Sequence, residues 1–357
     1  MVRSGSAAPD PSLAPKPGLP LAVTMGDPAG IGLDITLTAF SRATDPALPS
    51  FVFYADADAV AARAQALGIG LIVHRIASAS GVLQVPAGAL GLVNVPLASP
   101  VCAGRADARN GAAVIAAIEQ ATRAVADGEA AAVVTNPISK ETLYAAGFRH
   151  PGHTEFLGEL AARLWLGCAA VPVMMLASDE LRVVPLTVHI PLAAVPGALN
   201  QALIERTARI VVADLGRFFG IARPRLAVAG LNPHAGEGGT IGREDRDIIA
   251  PAVAALQAAG FDVVGPLSAD TLFHAAARAR YDAAIAMYHD QALIPLKTLA
   301  FDDGVNVTLG LPFVRTSPDH GTAFDIAGTG RANPASFVAA LRLAHKMALR
   351  AASNAGS

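Results

Sequence analysis

The chain has little charge and no long uninterrupted apolar run. Only 16% of its 357 residues are charged and 53% are hydrophobic, which excludes an intrinsically disordered protein. The formal net charge of −2 leaves no basic excess to neutralise the phosphates of a nucleic acid. The apolar stretches are short and interrupted by glycine, proline or charge, and none reaches the roughly 20 residues that a membrane-spanning helix needs. The composition therefore predicts a water-soluble protein with one large or two ordinary domains.

Cysteine is also scarce. The two cysteines, Cys102 and Cys168, are not spaced as metal ligands, and we interpret both as small buried hydrophobic residues in a reducing compartment. Residues 1–19 contain Pro, Ser and Gly but no apolar core like that of a secretory signal. We expect residues 1–19 to form a flexible N-terminal tail and the protein to be cytoplasmic.

Short apolar runs alternate with longer helical segments throughout the chain. Nine runs are typical of strands: LAVTMG, FVFYAD, GLIVHRI, AAVVTN, VPVMMLAS, RVVPLTVH, RLAVAGL, DVVGP and AAIAMYH. This alternation predicts an α/β fold with largely parallel strands that are buried on both faces. The last helix should begin near Asn333 and bury Phe337, Leu341, Ala344 and Ala348, which recur at helical spacing.

Three histidines, His189, His234 and His289, each follow a strand-like run and precede a polar turn. In an open α/β sheet, ligands collect outside the carboxyl ends of the strands. Three neutral imidazoles at one such edge would make a divalent metal site that stays open to water or substrate. The histidines are too far apart in the chain for one helix or hairpin, so only the tertiary fold could bring them together. Taken singly, each is more often a structural histidine than a metal ligand, and only the shared context of all three favours the metal site.

Two other segments allow both a structural and a functional interpretation. The segment TMGDPAGIGLD, residues 24–34, is either a tight strand-to-helix turn or a helix N-terminus that receives an anion. In HPGHTEFLGEL, Thr154 is a suitable N-cap, and Glu155 suits the first helical turn. Alternatively, His153 and Thr154 bind a phosphate or carboxylate together with exposed helix N–H groups.

A dense polar stretch near the C-terminus carries Lys297, Asn306 and Arg315 between apolar segments. Two cations and an amide at one sheet edge would suit an anionic, hydroxylated small substrate. The alternative is that Lys297 and Arg315 are simply solvated.

At these residues the chain resembles the 4-hydroxythreonine-4-phosphate dehydrogenase family of pyridoxal-phosphate biosynthesis. The resemblance runs from about Leu21 to about Met347, through the motifs GDPAGIG, TNPISKE, PGHTEFL, GLNPHAGEGGTIGRED, GPLSADTLF, AMYHDQALIPLK and GVNVTLGLPFVRTSPDHGTA. It implies a two-domain fold like that of the isocitrate and isopropylmalate dehydrogenases, with the active site in the interdomain cleft. We expect residues 20–140 and 305–357 to form a discontinuous first domain, and residues 141–304 to form a second domain with the metal and dimer-interface residues.

The resemblance also implies roles for individual side chains. The metal ligands fall on His189, His234 and His289, shared between the two subunits of a homodimer, for one zinc, magnesium, manganese or cobalt ion. The substrate contacts fall on five residues: His153, Thr154, Lys297, Asn306 and Arg315. Lys297 and Asp290 are the candidates for the catalytic base.

The segment DHGTAFDIAGTGRANP resembles the adenine-binding loop of the wider β-decarboxylating dehydrogenase group. The resemblance places Asp325 at the adenosine ribose hydroxyls, and His320 and Thr322 in the same pocket. A carboxylate at that position would repel a 2′-phosphate, so NAD is favoured over NADP.

The implied activity is NAD- and metal-dependent oxidation of 4-phosphooxy-L-threonine to 2-amino-3-oxo-4-phosphooxybutanoate, which decarboxylates to 3-amino-2-oxopropyl phosphate. The alternative within the family is the same chemistry on D-threonate or D-erythronate 4-phosphate. Two other classes are a hydrolytic zinc enzyme with three histidine ligands and a non-catalytic metabolite-binding protein. No nucleic acid or membrane partner is expected.

Overall fold

One sheet of twelve strands runs through residues 18–42, 48–150, 152–167 and 170–355, which are the residues that the computed structural model describes. The strands are β1 (Leu21–Thr24), β2 (Phe51–Ala55), β3 (Ile72–Ile76), β4 (Ala89–Asn94), β5 (Ala132–Thr135), β6 (Val173–Ala177), β7 (Arg182–Pro185), β8 (Arg225–Ala229), β9 (Asp262–Leu267), β10 (Ala283–Ala286), β11 (Val305–Leu309) and β12 (Arg315–Pro318). Their order across the sheet is β3-β4-β2-β1-β5-β12-β11-β6-β7-β10-β8-β9.

The pairings are parallel on both sides of the sheet and antiparallel at its centre. β11 is antiparallel to both of its neighbours, β12 and β6, and β6 is antiparallel to β7. The strands β1, β5 and β10 are buried at every position. The predicted α/β class with a largely parallel sheet is therefore confirmed.

Helices cover the sheet between successive strands. They are α1 (Gly32–Ser41), α2 (Ala57–Ala66), α3 (Gly111–Ala126), α4 (Lys140–Ala145), α5 (His153–Leu164), α6 (Val195–Ala198), α7 (Gln201–Phe219), α8 (Ala250–Ala258), α9 (Ala275–Arg278), α10 (His289–Leu299) and α11 (Ala335–Ala355). Within the described residues, none of these helices is both long and apolar enough to cross a membrane.

Local signals set the ends of several helices. The Asn200 side chain accepts the N–H of Leu203 at the start of α7, and Gly220 ends the same helix with a left-handed φ of 71°. The Asp56 carboxylate accepts the N–H of Ala59 and so caps α2. Capping of this kind satisfies backbone groups that the helix itself leaves without a partner.

All nine apolar runs form strands, and the predicted last helix is confirmed. The side chains of Phe337, Leu341, Ala344 and Ala348 are buried on one face of α11, which packs on the central strands. Three strands, β4, β11 and β12, were not predicted. β11 and β12 lie within the polar stretch. β12 (RTSP) is polar, whereas β11 (VNVTL) alternates apolar and polar residues, a strand signal that a search for continuous apolar runs misses.

The sheet is continuous across the two predicted domains. β11 belongs to residues 305–357, yet it pairs with β6 along five residue positions. The division into residues 20–140 with 305–357 and residues 141–304 therefore stays a prediction.

Two other expectations concern the cysteines and the tail. Cys102 is exposed, so the expectation of a buried side chain was wrong. It lies in the loop between β4 and α3 and forms an isolated bridge with Arg105 rather than joining the core. Cys168 and residues 1–17 of the predicted tail lie outside the described residues.

Candidate active site

A cavity of about 860 Å³ lies at the carboxyl ends of β5, β7 and β12. It also receives side chains from α4, α5 and α10. Eight of the residues predicted from the sequence line it: His153, Thr154, His189, His289, Lys297, Asn306, Arg315 and His320. Parts of the chain that are distant in sequence thus contribute to one cavity, as a shared substrate site requires.

Two of the three predicted metal ligands lie side by side in this cavity. The ring centroids of His189 and His289 are 5.8 Å apart. They follow β7 and β10, which are parallel neighbours, and the hydroxyl of Thr187 donates to the carbonyl of Met287 at 2.8 Å to join the two loops. His189 has a left-handed φ of 34°, a strained conformation for a non-glycine residue and a common mark of a functional position.

The protonation of His189 and the contact that His289 makes both suit metal binding. Burial lowers the pKa of His189, the charges of Lys140 and His289 lower it further, and Glu155 opposes them. His189 is therefore a neutral imidazole at pH 7, the form that binds metals. His289 Nδ1 lies 2.7 Å from Asp290 Oδ1, which leaves Nε2 of His289 free for an ion.

His234 is the third predicted ligand, and it does not line this cavity. It is exposed and begins a run of five left-handed residues, 234–238, that follows β8. The buried carboxylate of Asp245 holds this loop, accepting the N–H groups of Leu231 and Asn232 at 2.8 and 3.1 Å. Within the described part of one chain, no group of three or more His, Cys, Asp or Glu side chains could hold a metal ion.

The start of α5 forms the other end of the cavity. The helix begins at His153, Gly152 occupies the N-cap position, and no side chain caps it. The prediction of Thr154 as the N-cap was therefore wrong, because the N-cap lies two residues earlier, at a glycine. Without a capping side chain, the first N–H groups remain available to an anion.

Two buried nitrogens near that helix end have no hydrogen-bond partner among the described residues: His153 Nε2 and Arg315 Nε. Burial lowers the pKa of His153 well below its usual range, and the charges of Arg315 and Lys140 act in the same direction. Burial also lowers the pKa of Arg315 to about 10, so its guanidinium stays protonated at neutral pH. Its Nη atoms donate to the hydroxyls of Thr308 and Thr135 at 2.9 and 2.6 Å.

Lys297 occupies the wall between the two ends of the cavity. Its Nζ lies 2.9 Å from the Asp319 carboxylate and donates to the Asp319 carbonyl at 3.1 Å. Asn306 lines the cavity from β11. Arg315 is almost completely buried and Lys297 is half-buried, so the interpretation of both as solvated side chains was wrong.

The predicted cofactor loop is only partly in the cavity. His320 lines it, and the ring nitrogen Nε2 of His320 is buried with no partner in the described part of the chain. Thr322 and Asp325 do not line it; Asp325 is exposed on a short turn, and the Thr322 carbonyl accepts the N–H of Ile31 at 2.9 Å.

The Gly-rich segment 24–34 forms a tight turn with close backbone contacts inside the protein. Every residue of this segment is buried. A Cβ on Gly26 would lie 2.5 Å from the Pro137 carbonyl, and one on Gly32 would lie 2.5 Å from the Met25 carbonyl. The close approach explains the glycines, so the turn interpretation is favoured over an anion site.

Sequence reasoning did not assign a role in the site to several residues that line the cavity, among them Asn136, Lys140, Glu155 and Asp319. Lys140 and Glu155 lie within the motifs TNPISKE and PGHTEFL. Asn136 directly follows β5, so the strand-end rule that selected the histidines would have selected it too.

Comparison with known proteins agrees with this arrangement. The model of the family described as pyridoxal phosphate biosynthetic protein PdxA matches residues 47–344. The chain belongs to this family. The family predicted from the motifs is thereby confirmed.

Similar proteins cover nearly the whole chain. A 4-hydroxythreonine-4-phosphate dehydrogenase from Methylorubrum populi is 56% identical over 337 residues, or 94% of this chain and 96% of the relative. The crystal structure of a 4-hydroxythreonine-4-phosphate dehydrogenase from Klebsiella pneumoniae has a TM-score of 0.82 at 38% identity, with 93% and 100% coverage. A terephthalate 1,2-cis-dihydrodiol dehydrogenase from Burkholderia xenovorans LB400 is 32% identical, with a TM-score of 0.60 and 92% and 98% coverage.

Proposed function

We propose that this protein is an NAD- and divalent-metal-dependent 4-hydroxythreonine-4-phosphate dehydrogenase that forms a homodimer. It would oxidise 4-phosphooxy-L-threonine to 2-amino-3-oxo-4-phosphooxybutanoate, whose decarboxylation gives 3-amino-2-oxopropyl phosphate. The observation that carries the proposal is the cavity that joins the uncapped start of α5 to a pair of adjacent histidines. The PdxA relatives support the same activity.

The phosphate of the substrate would bind at the start of α5. Three groups there are available to a ligand. The start of α5 has no side-chain cap, and neither Arg315 Nε nor His153 Nε2 has a hydrogen-bond partner among the described residues. Thr154 adds a hydroxyl in the same wall of the cavity. A phosphate held by these groups has little freedom to rotate, which fixes the rest of the substrate relative to the histidines.

The secondary hydroxyl would then lie at the His189–His289 pair, with His234 of a second subunit completing the ligand set. When bound, the metal ion supplies Lewis acidity that lowers the pKa of the substrate hydroxyl. Asp290 orients the His289 ring through its 2.7 Å contact. Lys297 faces the cavity whereas Asp290 does not, so we assign proton exchange with the hydroxyl to Lys297.

NAD would approach from the His320 side. The buried His320 Nε2, unpaired within the described chain, offers a hydrogen-bonding atom toward the cavity, and Thr322 and Asp325 lie further along the same loop. Bound NAD supplies the hydride acceptor. Burial lowers the pKa of His320, so its ring is neutral and presents either a donor or an acceptor at pH 7.

The decisive experiment compares substrates. The purified protein is given NAD, a divalent metal, and either 4-phosphooxy-L-threonine, D-threonate 4-phosphate or D-erythronate 4-phosphate, and NADH absorbance is followed. We expect the highest kcat/KM with 4-phosphooxy-L-threonine and loss of activity with a chelator. A higher kcat/KM for either sugar-acid phosphate would contradict the proposed substrate, and metal-dependent hydrolysis without NADH formation would contradict the reaction class.

A further inference from the structure

Lys140 is the first residue of α4, and its side chain reaches the start of α5. A Cβ built on Gly152, the N-cap residue of α5, would lie 3.4 Å from Lys140 Cε and 3.5 Å from its Nζ. The Glu155 Oε2 atom lies 3.3 Å from the same point. The ammonium group is therefore beside the helix end that also presents His153 and Thr154.

Lys140 differs from the other lysine of the cavity in having no partner among the described residues. Lys297 is paired with Asp319 at 2.9 Å. In the described parts of the chain, Lys140 forms no ion pair within 4.0 Å and no side-chain hydrogen bond. A cation at the N-terminus of a helix is opposed by the helix dipole, and an anion bound between the two would interact favourably with both.

The charges at this end of the cavity lead to the same conclusion. A phosphate monoester carries about −2 at neutral pH. His153 is held neutral by its buried surroundings, Thr154 is uncharged, and Arg315 supplies a single positive charge. Glu155 adds a negative charge nearby, so Arg315 alone does not balance a bound dianion.

We propose that Lys140 is a substrate-binding residue that supplies the second positive charge of the phosphate site, beside the N-terminus of α5. This inference rests on the proposed function, because it assigns a residue to the phosphate of the proposed substrate. It makes Lys140 a determinant of specificity for phosphorylated over unphosphorylated substrates.

The test uses the full-length variants Lys140→Gln and Lys140→Arg, with Lys346→Gln as the control at an exposed lysine on α11. For Lys140→Gln we expect the KM for 4-phosphooxy-L-threonine to rise about tenfold, a typical loss for a charged hydrogen bond. Inhibition by inorganic phosphate should weaken in parallel. The KM for NAD and inhibition by unphosphorylated 4-hydroxythreonine should not change, and Lys140→Arg should recover most of the affinity.

Two results would overturn the inference. One is an unchanged KM and unchanged phosphate inhibition in Lys140→Gln; the other is an equal loss for NAD and for unphosphorylated 4-hydroxythreonine, which would indicate a general structural role. If the parent protein does not oxidise the substrate at all, the proposed function fails by itself. Calorimetric titration of inorganic phosphate into the parent and Lys140→Gln then still decides the role of Lys140.

Discussion

The buried guanidinium of Arg315 is a single residue whose surroundings favour the binding of an anion. Its side chain is only 3% exposed, its Nη atoms contact two neutral hydroxyls, and no carboxylate of the described residues pairs with it. A buried charge without a counter-charge is costly, so a bound anion would stabilise this residue. The fold thus keeps an unfavourable charge at the place where the substrate phosphate is proposed to bind.

Asp214 gives a prediction at the same scale. Burial raises the pKa of its carboxyl to about 6, although the Gly310 N–H and Arg217 oppose the shift. Because the folded-state pKa is raised, this group favours folding most when protonated, and that contribution falls as the pH rises from about 4 through 6. We expect Asp214→Asn, measured by urea unfolding, to gain about 2 kcal/mol relative to the parent between pH 4.5 and pH 8.

The control for this prediction is Asp127→Asn, at an exposed carboxylate that ends α3. This variant measures how the loss of an exposed carboxylate alone changes the free energy of unfolding over the same pH range. A pH dependence for Asp214→Asn no larger than that of the control would show that the Asp214 carboxyl does not titrate near pH 6. Asp214 matters for the site because its carboxylate accepts the N–H of Gly310, in the turn between β11 and β12. These two strands carry Asn306 and Arg315.

The sequence predicted which residues line the cavity, but it did not predict their burial or protonation. The motifs around His153, Lys297 and Arg315 predicted one site, and the fold brings them to one cavity. What isolated residue types could not show is the burial that makes His153 neutral and leaves Arg315 without a counter-charge. Those properties depend on β5, β11 and β12 meeting in the sheet, and of these three strands only β5 was predicted.

At the scale of elements, a buried ion pair joins the Gly-rich turn to the proposed cofactor loop. Arg63, on α2, pairs with Asp34 on α1 and donates to the carbonyls of Gly30 and Pro28 at 3.0 and 3.1 Å. The other oxygen of Asp34 accepts the N–H of Gly328 at 2.7 Å. The pair therefore ties α1, α2 and the 320–330 loop together behind the site.

We predict that Arg63→Lys weakens NADH binding about tenfold, equivalent to about 1.4 kcal/mol. The planar guanidinium donates to two carbonyls and a carboxylate at once, and a lysine ammonium cannot reproduce that geometry. Binding is measured by NADH fluorescence, alongside urea unfolding. Arg225→Lys is the matched control, since Arg225 pairs with Asp282 between β8 and β10. Equal losses of NADH affinity in the two variants would mean that the effect is one of general stability.

Sequence patterns located elements more reliably than their ends. The strands buried at every position, such as β1, β5 and β10, were recognisable because burial on both faces requires continuous apolar side chains, whereas β3 and β9 at the two edges of the sheet are largely exposed or half-buried. The start of α5 was misplaced because Thr154 is a good cap by residue type, whereas the N-cap position is occupied by Gly152, which has no side chain to cap the helix.

At the scale of the whole molecule, the three histidines do not meet within one chain. His189 and His289 are adjacent, but His234 lies on the left-handed turn after β8 and outside their cavity. Beside the pair, a groove of about 250 Å³ is lined by Ile190, Leu192 and other residues, and Ile190 and Leu192 are 42% and 67% exposed. Exposed apolar side chains next to two of the three proposed ligands are what the proposed homodimer requires, in which a second subunit covers them and brings its own His234.

This arrangement predicts complementation between inactive variants. His189→Ala and His234→Ala subunits are co-expressed with different affinity tags, and only the mixed dimer is purified. One of its two sites then contains His189 and His289 from one subunit and His234 from the other, all intact, so we expect about half of the parent activity. If all three ligands came from one chain, both sites would lack a histidine and the mixed dimer would be inactive.

The matched control is the mixed dimer of His189→Ala and His289→Ala. Both of these histidines belong to the pair within one chain, so each site of that dimer lacks one ligand and should be inactive. Activity in the first mixed dimer but not in the second would establish that His234 crosses the subunit interface. Activity in both would show that the adjacent His189–His289 pair is not a ligand pair, and inactivity in both would show that no site draws its His234 from a second subunit.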